Sequence, residues 1–296
     1  MIILIYRFII QFIISSNVEV KHMDFDARRT DFDIIIEAGQ SNAQGCGRGP
    51  ITEEYIPDEE IMYLVRDFAV SEGISNGKWN FELNYKNTPL RIEVADERDG
   101  VGGKIGDFAL TFAKKYKENG LLKEGRRVLI IRAGVGGTGF KKKQWTPDGE
   151  VYVKMLEMID FALSLNKHNK LVAFLWHQGE HDAFEGNDPE VFEAQLKTFI
   201  KSVKDRYNVP EIPFVSGDFV NEWKSENIES CEPIVEKIKK VTAGEGGIFV
   251  ETSDLLSNNQ ATGNGDNIHF SRESLHILGA RYFDAFDQII SQISEK

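Results

Sequence analysis

From Asp33 onward the chain alternates between short apolar runs and longer stretches in which apolar and polar positions interleave. The short runs are Asp33 to Ala38, Ile61 to Val65, Arg127 to Arg132, Leu171 to Trp176, Ile212 to Ser216 and Gly247 to Glu251. They are rich in β-branched and aromatic residues and bounded by Gly, Pro or Asn, which predicts strands. Several are apolar nearly throughout rather than at every second position, the pattern of strands buried on both faces, so a parallel sheet covered by helices above and below is expected. The longer stretches, Ile105 to Lys117, Val151 to Leu165, Pro189 to Tyr207, Pro233 to Thr242 and Arg272 to Ile293, repeat apolar residues at three- and four-residue intervals. That spacing, carried for example by Phe192, Leu196, Phe199, Ile200 and Val203, predicts helices. Tyr282, Phe283 and Phe286 sit at core spacing in the last of them and read as packing.

No repeat, low-complexity tract or Pro/Ser-rich linker divides this pattern, which predicts one domain over residues 31–296 behind an extension of residues 1–30. Residues Gly45 to Gly103 are turn-rich, carry only short strands and read as an elaborated loop region after the first strand. The extension opens with MIILIYRFIIQFIISS, where Arg7 and Gln11 cut the apolar run below the roughly twenty residues of a spanning helix. No membrane span is expected. A signal peptide would have a basic start and an unbroken apolar middle, so a cytoplasmic location is favoured over a secreted one, and Met23 could serve as an alternative start.

Charge narrows the partners. Thirty-five Lys and Arg against forty-seven Asp and Glu give a net charge of −12, which repels phosphate backbones and anionic lipid. Nucleic acid is excluded as an expected partner. The two cysteines, Cys46 and Cys231, match no zinc or redox spacing, which excludes a disulfide scaffold and a cysteine-ligated metal. The hydrophobic fraction of 41% supports a core large enough to fold without metal or disulfide.

In open parallel sheets, ligands bind beyond the carboxyl ends of the strands. The loops there read GQSNAQGCG (39–47), AGVGGTGF (133–140) and HQGEHDA (177–183), and DNIH (266–269) precedes the last helix. Each alone has a plain reading, as a helix cap, a turn or a surface pair. Together they hold what acyl transfer to a serine requires. Ser41 is the candidate nucleophile, His269 the base that takes its proton, and Asp266 the carboxylate that fixes the imidazole tautomer. Gly136 or Gly137 and the amide of Gln178 are candidate oxyanion donors.

IIEAGQSN, AGVGGTGF, LWHQGEHD and DNIH, in this order, resemble the four sequence blocks of the SGNH hydrolases, and more narrowly the carbohydrate esterase family 6 and sialate O-acetylesterase branch. The resemblance runs from about Asp33 to about Ile290. It implies a flavodoxin-like three-layer α/β/α sandwich with a central parallel sheet, and a serine esterase that removes acetyl groups from sugars of the acetylxylan or sialate type. It carries Ser41 over as nucleophile, His269 as base, Asp266 as acid, and Ser41, Gly137 and Gln178 as the oxyanion hole. Glu180 falls in the HQGE block as a carboxylate that orients loops, with the alternative that it is the acid partner of His269. Two departures stand out: the turn GVGGTGFKKKQW is longer and more basic than usual, and His181 stands where many relatives have Ser.

Competing patterns are weaker. His177 and His181 fit the H-x-x-E-H motif of inverted zinc peptidases, but that motif works only on a helix, and here it follows a predicted strand directly and contains Gly179. Gly134, Gly136 and Gly139 match the dinucleotide fingerprint, yet the helix that should follow is broken at Trp145-Thr-Pro147. A third alternative is a carbohydrate-binding protein on an inactive esterase fold. The expectation is therefore a serine O-acetylesterase with no metal or cofactor, acting on an acetylated carbohydrate.

Overall fold

The computed structural model describes residues 26–50, 56–66, 69–75, 78–84, 89–97 and 107–295, so the apolar N-terminal stretch lies outside the described residues. In chain order the elements are β1 (Asp31–Gly39), α1 (Ser41–Gln44), β2 (Ile61–Arg66), β3 (Ala69–Ser75), β4 (Lys78–Asn84), β5 (Leu90–Val94), α2 (Phe108–Glu118), β6 (Arg126–Gly134) and α3 (Glu150–Leu165). They continue as β7 (Lys170–His177), α4 (Glu180–Phe184), α5 (Pro189–Tyr207), β8 (Phe214–Gly217), α6 (Asn221–Glu226), α7 (Ile228–Gly244), β9 (Ile248–Val250), α8 (Asn258–Thr262) and α9 (Arg272–Ser294).

Seven strands form one sheet in the order β5-β2-β6-β1-β7-β8-β9. Its neighbours pair in parallel, as expected, except that β5 adds an antiparallel pair with β2 at the edge. The sequence LRIEV buries Leu90 and Ile92 but not Arg91 or Glu93, the alternation of an edge strand with one wet face. β3 and β4 pair antiparallel in a separate two-stranded sheet. No described helix is long and apolar enough to cross a membrane.

β1 lies at the centre, and its side chains feed both layers. Ile34 and Ile36 join one buried cluster with residues of α3, α5 and α7, whereas Ile35 joins the other with residues of α2 and α9. The result is the expected three-layer sandwich. Each full burial of an aliphatic side chain of this size contributes about 1.5–3 kcal/mol, so these two clusters fix where β1 ends. α5 shows how local sequence sets an element. Asp188 caps it by accepting from the N–H groups of Glu190 and Val191, Pro189 occupies its first position, and Asn208 ends it in the left-handed region. α7 begins five residues before the expected Pro233, which sits in its second turn at the loss of a single helical hydrogen bond.

Candidate active site

The strand order places the carboxyl ends of β6, β1 and β7 side by side. Gly39 ends β1 opposite His177 with φ +138°, and a side chain there would collide with the His177 carbonyl. The Gln40 N–H donates to that carbonyl at 3.0 Å, and the chain turns into α1. Ser41 is the first residue of α1, so its N–H has no partner within the helix. Its Oγ lies 2.8 Å from His269 Nε2.

His269 comes from far away in the sheet, because β9 is three strands from β1 and the chain must return across its end. α8, closed at its start by a reciprocal Ser257–Gln260 cap, carries it back. The backbone N–H groups of Asn258 and Asn259 donate to the carbonyls of His269 and Asp266, each at 2.8 Å. Asp266 faces His269 Nδ1 at 2.8 and 3.0 Å. Burial alone would raise the Asp266 carboxyl, but hydrogen bonds from His269 and Asn258 outweigh it and hold it down at about 2. An ionised acceptor at Nδ1 keeps the proton there and leaves the Nε2 lone pair aimed at Ser41. Asn258, buried, ties the acid to the loop after α1: its amide donates to Asp266 Oδ2 and to the Cys46 carbonyl, both at 2.9 Å, and its oxygen accepts from the Arg48 N–H at 2.6 Å.

The glycine turn after β6 resolves the choice between its two candidates as free donors. The Gly136 N–H donates to Gln44 Oε1 at 2.8 Å and is occupied. The Gly137 N–H has no hydrogen-bond partner among the described residues, and φ of +71° suits glycine there. The Gln44 carbonyl in turn accepts from Arg132 at 2.6 Å, and Arg132 stacks over the Tyr63 ring. No helix follows this turn until Glu150, which removes the dinucleotide reading.

Gln178 departs from expectation. Its Nε2 lies 2.5 Å from Asp182 Oδ2 and 3.4 Å from the Thr138 carbonyl, so both N–H groups are engaged rather than open to an oxyanion. The cause is Asp182, a fully buried carboxylate that sequence reasoning passed over and that gathers donors. It also accepts from the N–H groups of Phe140 and Lys141 at 2.9 and 2.7 Å and from Asn187 at 2.9 Å, pinning the basic turn to α4.

Glu180 accepts from Asn42 Nδ2 at 2.8 Å, which places it beneath the site rather than on His269 Nδ1. His177 is the last residue of strand β7, and His181 lies in α4 beside Glu185 and Phe184. They do not share a helical face, and no group of three or more His, Cys, Asp or Glu able to hold a metal occurs among the described residues. Tyr282, expected only to pack, also donates to the Trp176 carbonyl at 3.0 Å and meets His177 Nδ1 at 3.0 Å.

A sequence profile described as "Carbohydrate esterase, sialic acid-specific acetylesterase" matches residues 31–288. No curated protein matches by sequence. Among solved structures, NanS superimposes with a TM-score of 0.67 at 18% identity, covering 89% of this chain and 99% of its own. A protein from Arabidopsis thaliana superimposes with a TM-score of 0.62 at 19% identity, covering 86% of this chain and 98% of its own. At these identities the structural likeness speaks for the fold.

Proposed function

Because the chain belongs to the sialic acid-specific acetylesterase family of carbohydrate esterases, and is thereby a carboxylic ester hydrolase for acetylated sugars, we propose that it works through a serine nucleophile at Ser41. The observation that carries this reading is the contact of Ser41 Oγ with His269 Nε2 at 2.8 Å, backed by Asp266 on Nδ1. Ser41 Oγ attacks the acetyl carbonyl carbon while His269 takes its proton. Negative charge then collects on the carbonyl oxygen, which faces the open N–H groups of Ser41 and Gly137. His269 returns the proton to the departing sugar oxygen, leaving acetyl-Ser41. A water deprotonated by His269 attacks that ester, and collapse releases acetate and restores Ser41. With Gln178 engaged by Asp182, the proposed cradle rests on these two backbone donors. Of the two substrate classes open from the sequence, the family's description favours an O-acetyl ester of sialic acid over acetylxylan.

The test is acetate release by the purified protein from p-nitrophenyl acetate, O-acetylated sialic acid and acetylated xylo-oligosaccharides, with and without a chelator. Turnover of the sialate ester that survives chelation and vanishes in Ser41→Ala is expected, with little change in Tm. Wild-type turnover in Ser41→Ala would end the serine reading, and chelator-sensitive activity would turn attention to a metal. Sugar binding without acetate release would support the inactive-fold alternative.

A further inference from the structure

Asn42 follows Ser41 in α1 and is fully buried, and both donors and the oxygen of its amide are engaged. Nδ2 donates to Glu180 Oε1 at 2.8 Å and to the Ile268 carbonyl at 3.2 Å, while Oδ1 accepts from the Phe270 N–H at 3.1 Å. Ile268 and Phe270 are the residues on either side of His269. One side chain, anchored next to the nucleophile, therefore grips the peptide before and after the histidine. The segment it grips returns from the far side of the sheet, so nothing covalent nearby fixes the separation of Ser41 and His269.

An asparagine amide is nearly symmetric in shape, and only its partners decide which way it points. Turned over, it would set its oxygen against the Ile268 carbonyl and Glu180, and its N–H groups against the Phe270 N–H. Glu180, which offers an acceptor, reinforces the working orientation. We propose that Asn42 is a positioning residue that holds His269 at hydrogen-bond distance from Ser41, and that Glu180 fixes the direction of its amide. This rests on the reading of Ser41 and His269 given above.

The groups around Glu180 make the pairing testable by pH. His177 Nε2 on β7 lies 3.6 Å from Glu180 Oε1, and His269, Asp218 after β8, Cys231 on α7 and Tyr282 on α9 share its electrostatic surroundings. In Asn42→Asp, one carboxylate oxygen still accepts from Phe270, but the other faces two acceptors, Glu180 and the Ile268 carbonyl. The contact between the introduced carboxyl and Glu180 then persists only while the two groups share a proton. The experiment measures kcat and KM against pH for N42D, E180Q and the double variant N42D/E180Q, with S41A as control.

In N42D, kcat should fall at least about tenfold at the alkaline end with KM nearly unchanged, because the histidine is displaced while the sugar site is untouched. In N42D/E180Q the introduced amide can donate to the introduced carboxylate, so most of that loss should be recovered and the alkaline fall removed, even if N42D alone folds poorly. Wild-type kcat in N42D at alkaline pH, or losses that multiply in the double variant, would overturn the positioning role. An active S41A would overturn the serine reading itself, whereas an inactive S41A beside an unimpaired N42D overturns only this inference.

Discussion

Glu180→Gln is the substitution whose consequence follows most directly from the structure. Glu180 has no exposed surface, and its Oε2 has no hydrogen-bond partner. Tyr282 uses its proton on the Trp176 carbonyl and so accepts from His177 Nδ1, which leaves a bare lone pair at His177 Nε2, 3.6 Å from Glu180 Oε1. Burial keeps His177 neutral, pushing it down to about 3, and pushes the Glu180 carboxyl from 4.5 up to about 7. The folded state thus binds the Glu180 proton more tightly than the unfolded chain does. Stability from this group is whole below about pH 4.5, declines as pH rises, and is lost above about pH 7. A rise from 4.5 to about 7 corresponds to about 3 kcal/mol in all, most of which falls between pH 5 and pH 8. Glutamine keeps the acceptor for Asn42 and cannot ionise. Urea unfolding of both proteins across that pH range should show the wild type losing about 2–3 kcal/mol relative to E180Q as pH rises. Parallel stability curves would refute the placement of Glu180 as a buried acid with a raised pKa.

Three further outcomes are expected. Asp266→Asn should lower kcat by roughly ten-thousandfold, because it favours the wrong imidazole tautomer, and a loss smaller than that of E180Q in acetate-release assays would count against Asp266 as the partner of His269. Gln178→Glu sets a second carboxylate against buried Asp182 and should lower Tm more than Gln178→Ala does, by calorimetry; the reverse order would mean that the amide does not serve Asp182. Asn258→Ala removes the tether between Asp266 and the loop after α1, so kcat should drop about tenfold with KM little changed, and an unaltered kcat would show that the acid holds its place unaided.

Periodicity was a good guide wherever a segment is buried on one stripe or on both faces. α5 begins and ends where its spacing and capping residues place it, and β1, β6 and β7 differ from expectation by a residue or two at their ends. β1 starts at Asp31 because Asp33, which reads as a boundary, is buried beside Arg126 and Tyr116, with contacts of 2.7 and 2.8 Å. β5 falls among the short strands expected in residues 45–103 but was not delimited, because an edge strand of five residues alternates too briefly to stand out. At the candidate site, the serine, histidine and aspartate proposed for the reaction could be picked out by type and block, and the fold brings them within hydrogen-bond distance of one another. Apart from Glu180, the supporting amides and carboxylates could not. Asn42 meets partners 138 and 226 positions away in sequence, and Asp182 gathers the N–H groups of Phe140 and Lys141 from 42 and 41 positions away. Gln178 shows the same limit, for its direction is set by the buried carboxylate one helical turn on.

The basic turn beside the site is fastened to Asp182 through the N–H groups of Phe140 and Lys141, not through their side chains. An amide proton is supplied by every amino acid except proline, so this fastening does not depend on what Lys141 carries, and Lys142 and Lys143 beyond it also project outward, exposed. Phe140, buried in the core, is held by a separate constraint. The positions that face solvent beside the candidate site can therefore change charge and polarity while the peptide path beneath them stays put, with Lys143, at φ +59°, the one whose backbone restricts the choice of side chain. Such a turn separates the chemistry of its outward face from the anchoring of its backbone.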